Sequence, residues 1–331
     1  MRIAIRLVQG LIFLLLAALL AGAWYLLPGE RLREPALTGV SEDSSLRTGG
    51  MRRYYVLYVP EKLAPNPALL VVLHASQSNG EGMRRDSGYG FDALADRYGF
   101  LVLYPDGYEG HWNDCRKAAS YSARTEHIDD VTFLSRLIRR VQRERQVDPQ
   151  QIFVAGYSNG GQMALRMAAE GKLPLAGIAL VAASPPTPEN DDCRPLEKPL
   201  ATLLMNGTRD PINPFAGGRV RLFGFGDRGD VLGSEDAAAA QAKRNGIDAA
   251  GEPEQLTRPG PIWSERRIWQ AAGAPPVELV SVHGGGHLLS QPGYRPPRLL
   301  GAGDPELDGP AEIWRFFSQS LPPAAQTSTT Q

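Results

Sequence analysis

The sequence predicts an α/β fold whose mostly parallel sheet carries helices on both faces. Two observations support this fold class. Short, continuous apolar runs recur along the chain, and they are typical of strands that are buried on both faces. Helical patterns lie between them, the clearest at 128–145, where apolar residues form one stripe and charged residues cover the other face. Strands that alternate with helices pair mainly in parallel, and the active sites of such sheets collect at the carboxyl ends of the strands.

The predicted elements alternate along the chain. In chain order they are strands 53–59 and 68–74, helix 91–98, strand 100–104, helix 128–145, strand 151–155, helix 159–170, strands 176–182 and 200–205, helix 234–245, strand 277–282 and helix 310–318. This series indicates a single domain over 51–320. The tail, 321–331, consists mainly of Pro, Ala, Thr and Gln and is expected to be disordered.

The N-terminus predicts export. Arg2 and Arg6 precede an apolar run, 7–27, that contains a single glutamine. A run of this length spans a bilayer, with the arginines on the cytoplasmic side. It is interpreted as a signal anchor, or alternatively as a cleaved signal peptide with a small-residue cleavage site at 21–23. Residues 28–50 are expected to form a linker, and either alternative makes the domain extracytoplasmic: periplasmic, secreted, or anchored to the inner membrane.

The composition excludes a strongly charged partner. The chain carries 35 basic and 36 acidic residues, a formal net charge of -1, which gives no electrostatic basis for binding nucleic acid. His111 and His127 have no partner at metal-ligand spacing, so no metal site is expected. The chemistry inferred below needs no cofactor. In an oxidising compartment Cys115 and Cys193 are expected to bond to each other, the alternative being two unrelated buried thiols. Composition leaves the oligomeric state open.

The segment 154–161 predicts a nucleophilic serine. A buried strand runs into Gly156-Tyr157-Ser158-Asn159-Gly160, and a helical pattern follows. This is the G-x-S-x-G turn, which is so tight that its serine is strained and its hydroxyl exposed. The helix N-terminus behind Ser158 supplies N–H groups where an oxyanion would form. The alternative is an ordinary strand-to-helix turn in which Ser158 caps the helix.

Chain order selects the partners of this serine. A serine hydroxyl needs a base and the base needs an orienting acid, which in hydrolases with this turn follow in the order serine, acid, histidine. Asp210 comes just after a buried strand and is the predicted acid, although an aspartate before Pro211 also commonly starts a turn. His287 follows three glycines that would let it swing over the serine, whereas His283 still belongs to a strand and is expected to be structural. Weaker candidates for the acid, with no strand close before them, are Asp227, Asp230 and Asp236.

An oxyanion hole is expected to use two backbone donors. The first is the N–H of Asn159, and the second should come from the loop after the strand that ends at His74. The backbone N–H of Ser76 is the predicted second donor, with that of Gln77 as the alternative. His74 is expected to shape this loop rather than to act as the base.

A glycine-rich segment, 224–229, fits the dinucleotide-binding pattern G-x-G-x-x-G. That pattern receives a pyrophosphate only where a helix follows the glycines at once, and none is predicted here. The segment is instead predicted to be a loop that borders the active site.

Together these motifs resemble the secreted esterase family related to polyhydroxybutyrate depolymerases, LpqC-type esterases and feruloyl esterases. The matching segments are 70–74, 91–107, 112–113, 129–131, 156–161, 206–210 and 284–287. The resemblance implies an α/β-hydrolase fold and assigns the catalytic roles to Ser158, Asp210 and His287. It also favours the bridge between the two cysteines.

The sequence departs from the family after His287. The family often continues with Thr-Trp-Pro-Gly, whereas 288–293 is Leu-Leu-Ser-Gln-Pro-Gly, which predicts a different acyl or alcohol pocket. The predicted function is that of an exported serine esterase that hydrolyses small-molecule or polymer esters through an acyl-enzyme. The alternatives are a membrane-tethered binding protein without activity and a serine peptidase of the same fold.

Overall fold

The computed structural model describes residues 2–30, 33–222 and 224–321 of the chain. The tail predicted over 321–331 lies outside these residues except for Leu321, whose side chain is buried in the core.

Every element predicted from the sequence is present, with its ends shifted by at most two residues. The helices of the described residues are α1 (Arg2–Leu26), α2 (Gly80–Asp86), α3 (Gly90–Tyr98), α4 (Ser122–Thr125), α5 (Asp130–Arg145), α6 (Asn159–Glu170), α7 (Ser234–Arg244) and α8 (Gly309–Ser318), with a 3-10 turn at Arg298–Leu300. The strands are β1 (Pro28–Glu30), β2 (Val40–Thr48), β3 (Met51–Val59), β4 (Leu69–Leu73), β5 (Leu101–Pro105), β6 (Ile152–Tyr157), β7 (Gly177–Val181), β8 (Ala201–Gly207), β9 (Gly218–Leu222), β10 (Phe225–Val231), β11 (Glu254–Gln255), β12 (Trp263–Trp269), β13 (Val277–His283) and β14 (Arg295–Pro297).

The main sheet has ten strands in the order β11-β12-β13-β8-β7-β6-β4-β5-β3-β2. The central strands, from β13 to β5, are parallel. Antiparallel pairs finish both edges, β11 and β12 on one side and β3 and β2 on the other. The carboxyl ends of the parallel strands therefore share one edge of the sheet, where connecting loops meet.

Alternate side chains of the parallel strands enter two separate core layers. Leu69, Val71 and Leu73 of β4 pack in the layer formed with α5, α6 and α7. Leu70 and Val72 pack on the opposite face, in the layer formed with α2, α3 and α8. Because both faces are covered, these strands read as continuous apolar runs, which is the pattern that identified them in the sequence.

The predicted linker is wrong for its second half. Residues 40–48 form β2, which pairs along its full length with β3 at the edge of the main sheet. Its sequence, Val-Ser-Glu-Asp-Ser-Ser-Leu-Arg-Thr, is polar because the strand is bonded on one side only and most of its side chains remain partly or fully exposed. An edge strand of this composition contains no buried apolar run, so its sequence cannot be distinguished from that of a linker.

The glycine-rich segment 224–229 does not form an irregular loop but belongs to a hairpin of β9 and β10. Val220 and Val231 anchor this hairpin in a small separate cluster with Ile212. No helix follows the glycines directly, since α7 begins only at Ser234.

The apolar N-terminal segment forms a helix long and apolar enough to cross a membrane over Gln9–Leu26. Its last turn contacts the domain, because Arg298 donates a hydrogen bond of 2.8 Å to the carbonyl oxygen of Trp24. The guanidinium of Arg298 also lies over the Trp24 ring, 3.9 Å from its centre.

Candidate active site

The turn between β6 and α6 holds Ser158 in a strained conformation, with φ 54° and ψ -114°. The chain can turn this sharply only because the residues two positions before and after Ser158 are glycines. A Cβ at Gly156 would lie 2.1 Å from the carbonyl oxygen of Gly160, and a Cβ at Gly160 would lie 2.2 Å from that of Leu73. The Ser158 backbone N–H donates to Val181, which ties the turn to the neighbouring strand.

The structure brings together Ser158, Asp210 and His287, which are distant in the sequence. Nε2 of His287 lies 2.8 Å from Oγ of Ser158, and Nδ1 of the same ring lies 2.7 Å from Oδ2 of Asp210. Both partners of the serine are buried, with 4% of His287 and 9% of Asp210 exposed. This geometry is the one that a relay of nucleophile, base and orienting acid would need.

The carboxylate of Asp210 is oriented by backbone donors. Its Oδ1 accepts hydrogen bonds from the N–H groups of Ile212 at 2.7 Å and Asn213 at 2.8 Å. These two bonds leave Oδ2 free to face the imidazole of His287. The turn role considered for this aspartate and the acid role are therefore compatible, because one oxygen serves each.

His287 is held by its own backbone. Its N–H donates to the carbonyl oxygen of Leu300 at 2.7 Å, and its carbonyl oxygen accepts from the hydroxyl of Tyr157 at 2.7 Å. Gly285 also accepts a hydrogen bond from the N–H of Arg209. The glycine loop was expected to swing the histidine into place; instead the loop is bonded on both sides and the ring is already in position.

The structure distinguishes the two backbone N–H groups, of Ser76 and Gln77, that were considered for the second oxyanion donor. The N–H of Gln77 donates to the carbonyl oxygen of Gly110 at 2.8 Å and is therefore occupied. Among the described residues, the N–H of Ser76 has no hydrogen-bond partner, and Ser76 and Ser158 line the same cavity. The N–H of Asn159 belongs to the first turn of α6, where donors have no partner within the helix.

The side chain of Asn159 connects this region to a buried polar cluster. Its oxygen accepts from the N–H of Trp112 at 2.8 Å, and its Nδ2 donates to Asp114 at 2.7 Å. Asp114 in turn forms an ion pair of 2.5 Å with Arg116 and accepts from the hydroxyl of Tyr121. Burial opposes ionisation of Asp114, but Arg116 and Tyr121 outweigh it and lower the pKa of the carboxyl.

A disulfide joins Cys115 and Cys193, as expected, and it lies next to this cluster in sequence. Within the part of the chain that the structure describes, the one group of three possible metal ligands is these two cysteines with Asp191. Because both sulfurs are bonded to each other, that group lacks the thiolates that a metal would need.

His74 anchors the loop that carries Ser76. It is fully buried, its Nε2 accepts from the N–H of Gly107 at 2.8 Å, and its Nδ1 donates to the carbonyl oxygen of Ala75 at 2.7 Å. Burial lowers the pKa of this imidazole to about 4, so the ring is neutral at physiological pH. Its position supports the role in loop shape that the sequence suggested.

The rival residues lie elsewhere. His283 stacks on Trp263 with ring centres 4.0 Å apart and faces Glu265 across β12 and β13. Asp227 and Asp230 pair with Arg219 on the exposed hairpin, and Asp236 lies in the first turn of α7.

A cavity of about 350 Å³ opens beside Ser158 and His287. Its walls are largely apolar and include Leu288 and Leu289, the residues at which the sequence departs from the family. The other apolar residues of the wall include Met83, Ile212, Leu222 and Leu300. The cavity is thus shaped for a substrate with an apolar portion next to the reacting group.

Sequence reasoning missed two residues of this site. The hydroxyl of Tyr157, inside the G-x-S-x-G turn, donates to the backbone carbonyl oxygen of His287, and Arg228, inside the glycine-rich segment, lines the cavity. The predicted border position of 224–229 was a signal for Arg228, but no local pattern indicates which side chain of a hairpin turns inward.

Residues 53–183 match the model of a family described as esterase PHB depolymerase. NocK of Nocardia uniformis subsp. tsuyamanensis, a candidate esterase by its name, is 28% identical over 83% of this chain and 82% of its own length. The poly(3-hydroxybutyrate) depolymerase of Ralstonia pickettii is 28% identical over 60% of this chain, and the match spans only 42% of that protein.

Among solved structures, the acetyl xylan esterase from Aspergillus awamori superposes with a TM-score of 0.54 and 18% identity, over 84% of this chain and 99% of that one. The α/β-hydrolase fold predicted from the sequence is confirmed by this likeness. The resemblance to the polyhydroxybutyrate depolymerase and feruloyl esterase family is confirmed by the family match and by the esterases among the relatives.

Proposed function

We propose that this chain, whose residues 53–183 match the esterase PHB depolymerase family, is an exported serine esterase that hydrolyses carboxylic esters through an acyl-enzyme. The observation that carries the proposal is the relay at the end of β6, in which Nε2 of His287 lies 2.8 Å from Oγ of Ser158. Ester rather than amide substrates are favoured because the relatives are named as esterases and depolymerases of a polyester.

In the first half of the reaction, His287 takes the proton of Ser158 as its oxygen attacks the ester carbonyl. The negative charge that develops on the carbonyl oxygen is stabilised by the N–H groups of Asn159 and Ser76. Asp210 keeps the imidazole in the tautomer whose Nε2 accepts a proton. Collapse of the tetrahedral intermediate expels the alcohol, which His287 protonates, and leaves the acyl group on Ser158.

In the second half, His287 removes a proton from water, which attacks the acyl-enzyme and passes through the same oxyanion site. Collapse of this second intermediate returns the proton to Ser158 and releases the carboxylic acid. No metal or other cofactor takes part in either half.

The decisive experiment compares the wild-type chain with Ser158→Ala on 4-nitrophenyl butyrate. We expect turnover to fall by a factor of about 10⁶, because removing the nucleophile disables the whole relay. Equal rates for the two proteins would support the alternative of a binding protein without activity. Hydrolysis of matched amides but not of esters would point instead to a peptidase.

Export rests on two features of the chain. The apolar part of α1, Gln9–Leu26, is exposed along its length, and the disulfide between Cys115 and Cys193 is typical of oxidising compartments. Fractionation of cells that express the full chain tests this. We expect the protein outside the cytoplasm, and the mass of its N-terminal peptide distinguishes a retained anchor from a cleaved signal peptide.

A further inference from the structure

Arg228 is a buried cation beside the reacting serine. It lies on β10, only 9% of it is exposed, and it lines the cavity together with Ser158 and His287. Its Nη1 donates a hydrogen bond of 2.9 Å to Oγ of Ser76, and its guanidinium lies 5.2 Å from the centre of the Tyr121 ring.

No carboxylate of the described residues pairs with this guanidinium. Asp114, the carboxylate whose charge acts on this guanidinium, is already bonded to Arg116 at 2.5 Å and to Asn159 at 2.7 Å. Burial and the charge of Arg116 lower the pKa of Arg228 by more than Tyr121 and Asp114 raise it, so these two groups compensate the cation only in part. Buried charges in proteins are normally paired, because the free-energy cost of removing an unpaired charge from water is not offset by a partner.

The place of this cation decides what can pair with it. A serine hydroxyl and an aromatic face together occupy part of a guanidinium that carries five N–H donors, and the rest of it borders the cavity. Asp86 also lines the cavity, but the cation that acts on its carboxyl is Arg85. A guanidinium fork matches the two oxygens of a carboxylate better than it matches any neutral group.

We propose that the cavity binds esters that carry a free carboxylate near the scissile bond, and that Arg228 is the residue that recognises this carboxylate. This inference rests on the proposed esterase function and narrows its substrates to monoesters of diacids or to the carboxyl ends of hydroxy-acid esters. The apolar wall formed by Leu222 and Leu300 would then contact the carbon chain between the two groups.

Two pairs of substrates test the proposal, each with a charged and a neutral member of similar shape. For a carboxylate on the acyl side, the pair is mono-4-nitrophenyl glutarate and 4-nitrophenyl valerate. For a carboxylate on the alcohol side, it is 3-acetoxybutyrate and 3-acetoxybutyramide. In at least one pair we expect Arg228→Gln to lower kcat/KM for the charged member by about 30-fold or more and to change the neutral member by less than about threefold.

The choice of variants separates recognition from loop support. Glutamine can still donate a hydrogen bond to Ser76, and Arg228→Lys keeps the charge and should retain part of the preference. Arg221→Gln is the matched control, since Arg221 is an exposed arginine of the same hairpin and should alter neither pair. An equal loss for charged and neutral members of both pairs would mean that Arg228 only supports the Ser76 loop, and it would overturn the proposal.

Binding without turnover separates this inference from the proposed function. Monomethyl glutarate and methyl valerate are titrated calorimetrically into Ser158→Ala, with and without Arg228→Gln. Tighter binding of the charged ligand that depends on Arg228 supports the carboxylate site even if the wild type hydrolyses none of the four substrates. Binding that is indifferent to Arg228 overturns it, even if Ser158 proves to be the nucleophile.

Discussion

The two sides of Ser158 are built by different means. On the side of the base, Asp210 accepts two hydrogen bonds from backbone N–H groups of its own turn. The backbone of His287 is held by hydrogen bonds to the carbonyl oxygen of Leu300 and from the hydroxyl of Tyr157. On the oxyanion side, Asn159 is held by a buried cluster of charged and polar side chains that includes Asp114 and Arg116. The base side therefore depends on backbone geometry, and its residues are free to do chemistry. The oxyanion side depends on charges that must remain paired, so a change there should affect stability as well as rate.

The largest effect is expected on the base side, from Asp210→Asn. The two backbone N–H groups that bind Oδ1 will hold the amide oxygen, so the amide NH2 faces Nδ1 of His287. That donor forces the proton of the imidazole onto Nε2, where it can no longer accept one from Ser158. We expect kcat on 4-nitrophenyl butyrate to fall about 10⁴-fold.

The matched control is Asp227→Asn, an acid of the exposed hairpin, which should leave kcat within about twofold. A loss of less than about tenfold for Asp210→Asn would show that Asp210 does not set the tautomer of the base.

The next effect is on the oxyanion side, from Asp114→Asn. Without this carboxylate Arg116 is a buried cation without a partner, which typically costs about 3–5 kcal/mol of unfolding free energy. Urea unfolding measures it. Asp192→Asn breaks an ion pair with Arg124 whose acidic member is 48% exposed, and it should cost less than about 1 kcal/mol. Similar losses for the two variants would mean that the buried cluster stabilises the fold no more than an exposed ion pair does. The oxyanion side would then not depend on paired charges.

The pH dependence of the unfolding free energy tests the oxyanion side through His74, which anchors the loop that carries Ser76. Its pKa in the folded protein is about 4, whereas the unfolded value is 6.5, so the unfolded chain takes up the proton first as the pH falls. The contribution of this residue is therefore complete above pH 6.5 and is lost between pH 6.5 and 4, by about 3 kcal/mol.

The unfolding free energy of His74→Gln should fall less steeply than that of the wild type across this interval. His127→Asn changes an exposed histidine and should keep the wild-type slope. Parallel curves for the wild type and His74→Gln would refute the assignment.

The smallest effect is expected from Tyr157→Phe. The variant loses the hydroxyl that donates to the carbonyl oxygen of His287 at 2.7 Å, a bond worth about 1 kcal/mol. We expect kcat to fall about fivefold with KM unchanged, because the base is displaced while phenylalanine keeps the aromatic ring that Tyr157 contributes to the cavity wall. Tyr108→Phe, which removes an exposed hydroxyl bonded to Glu126, should have no effect. A raised KM with normal kcat would argue that Tyr157 contacts substrate instead.

The two sides also differ in how far the sequence predicts them. The positions of Ser158, Asp210 and His287 could be inferred because each follows a strand of the parallel sheet, and parallel strands end at one edge. The buried polar cluster around Asn159 could not be inferred, because its contacts join segments that share no local sequence pattern. Arg228 meets Ser76 across 152 positions of the chain, and the pairing depends on how one hairpin folds back over the sheet. Strand β2 was not predicted for a related reason. Its residues are polar, and nothing in their pattern indicates that they pair with β3.

The bridge between Cys115 and Cys193 closes a covalent ring that contains β6, Ser158 and α6. A protease that cuts the backbone once anywhere inside this ring produces two pieces that remain one molecule. In such a nicked protein the segment that carries Ser158 stays covalently tethered to the rest of the fold. After limited digestion, the two fragments should migrate as one band on a non-reducing gel. They should separate when the disulfide is reduced.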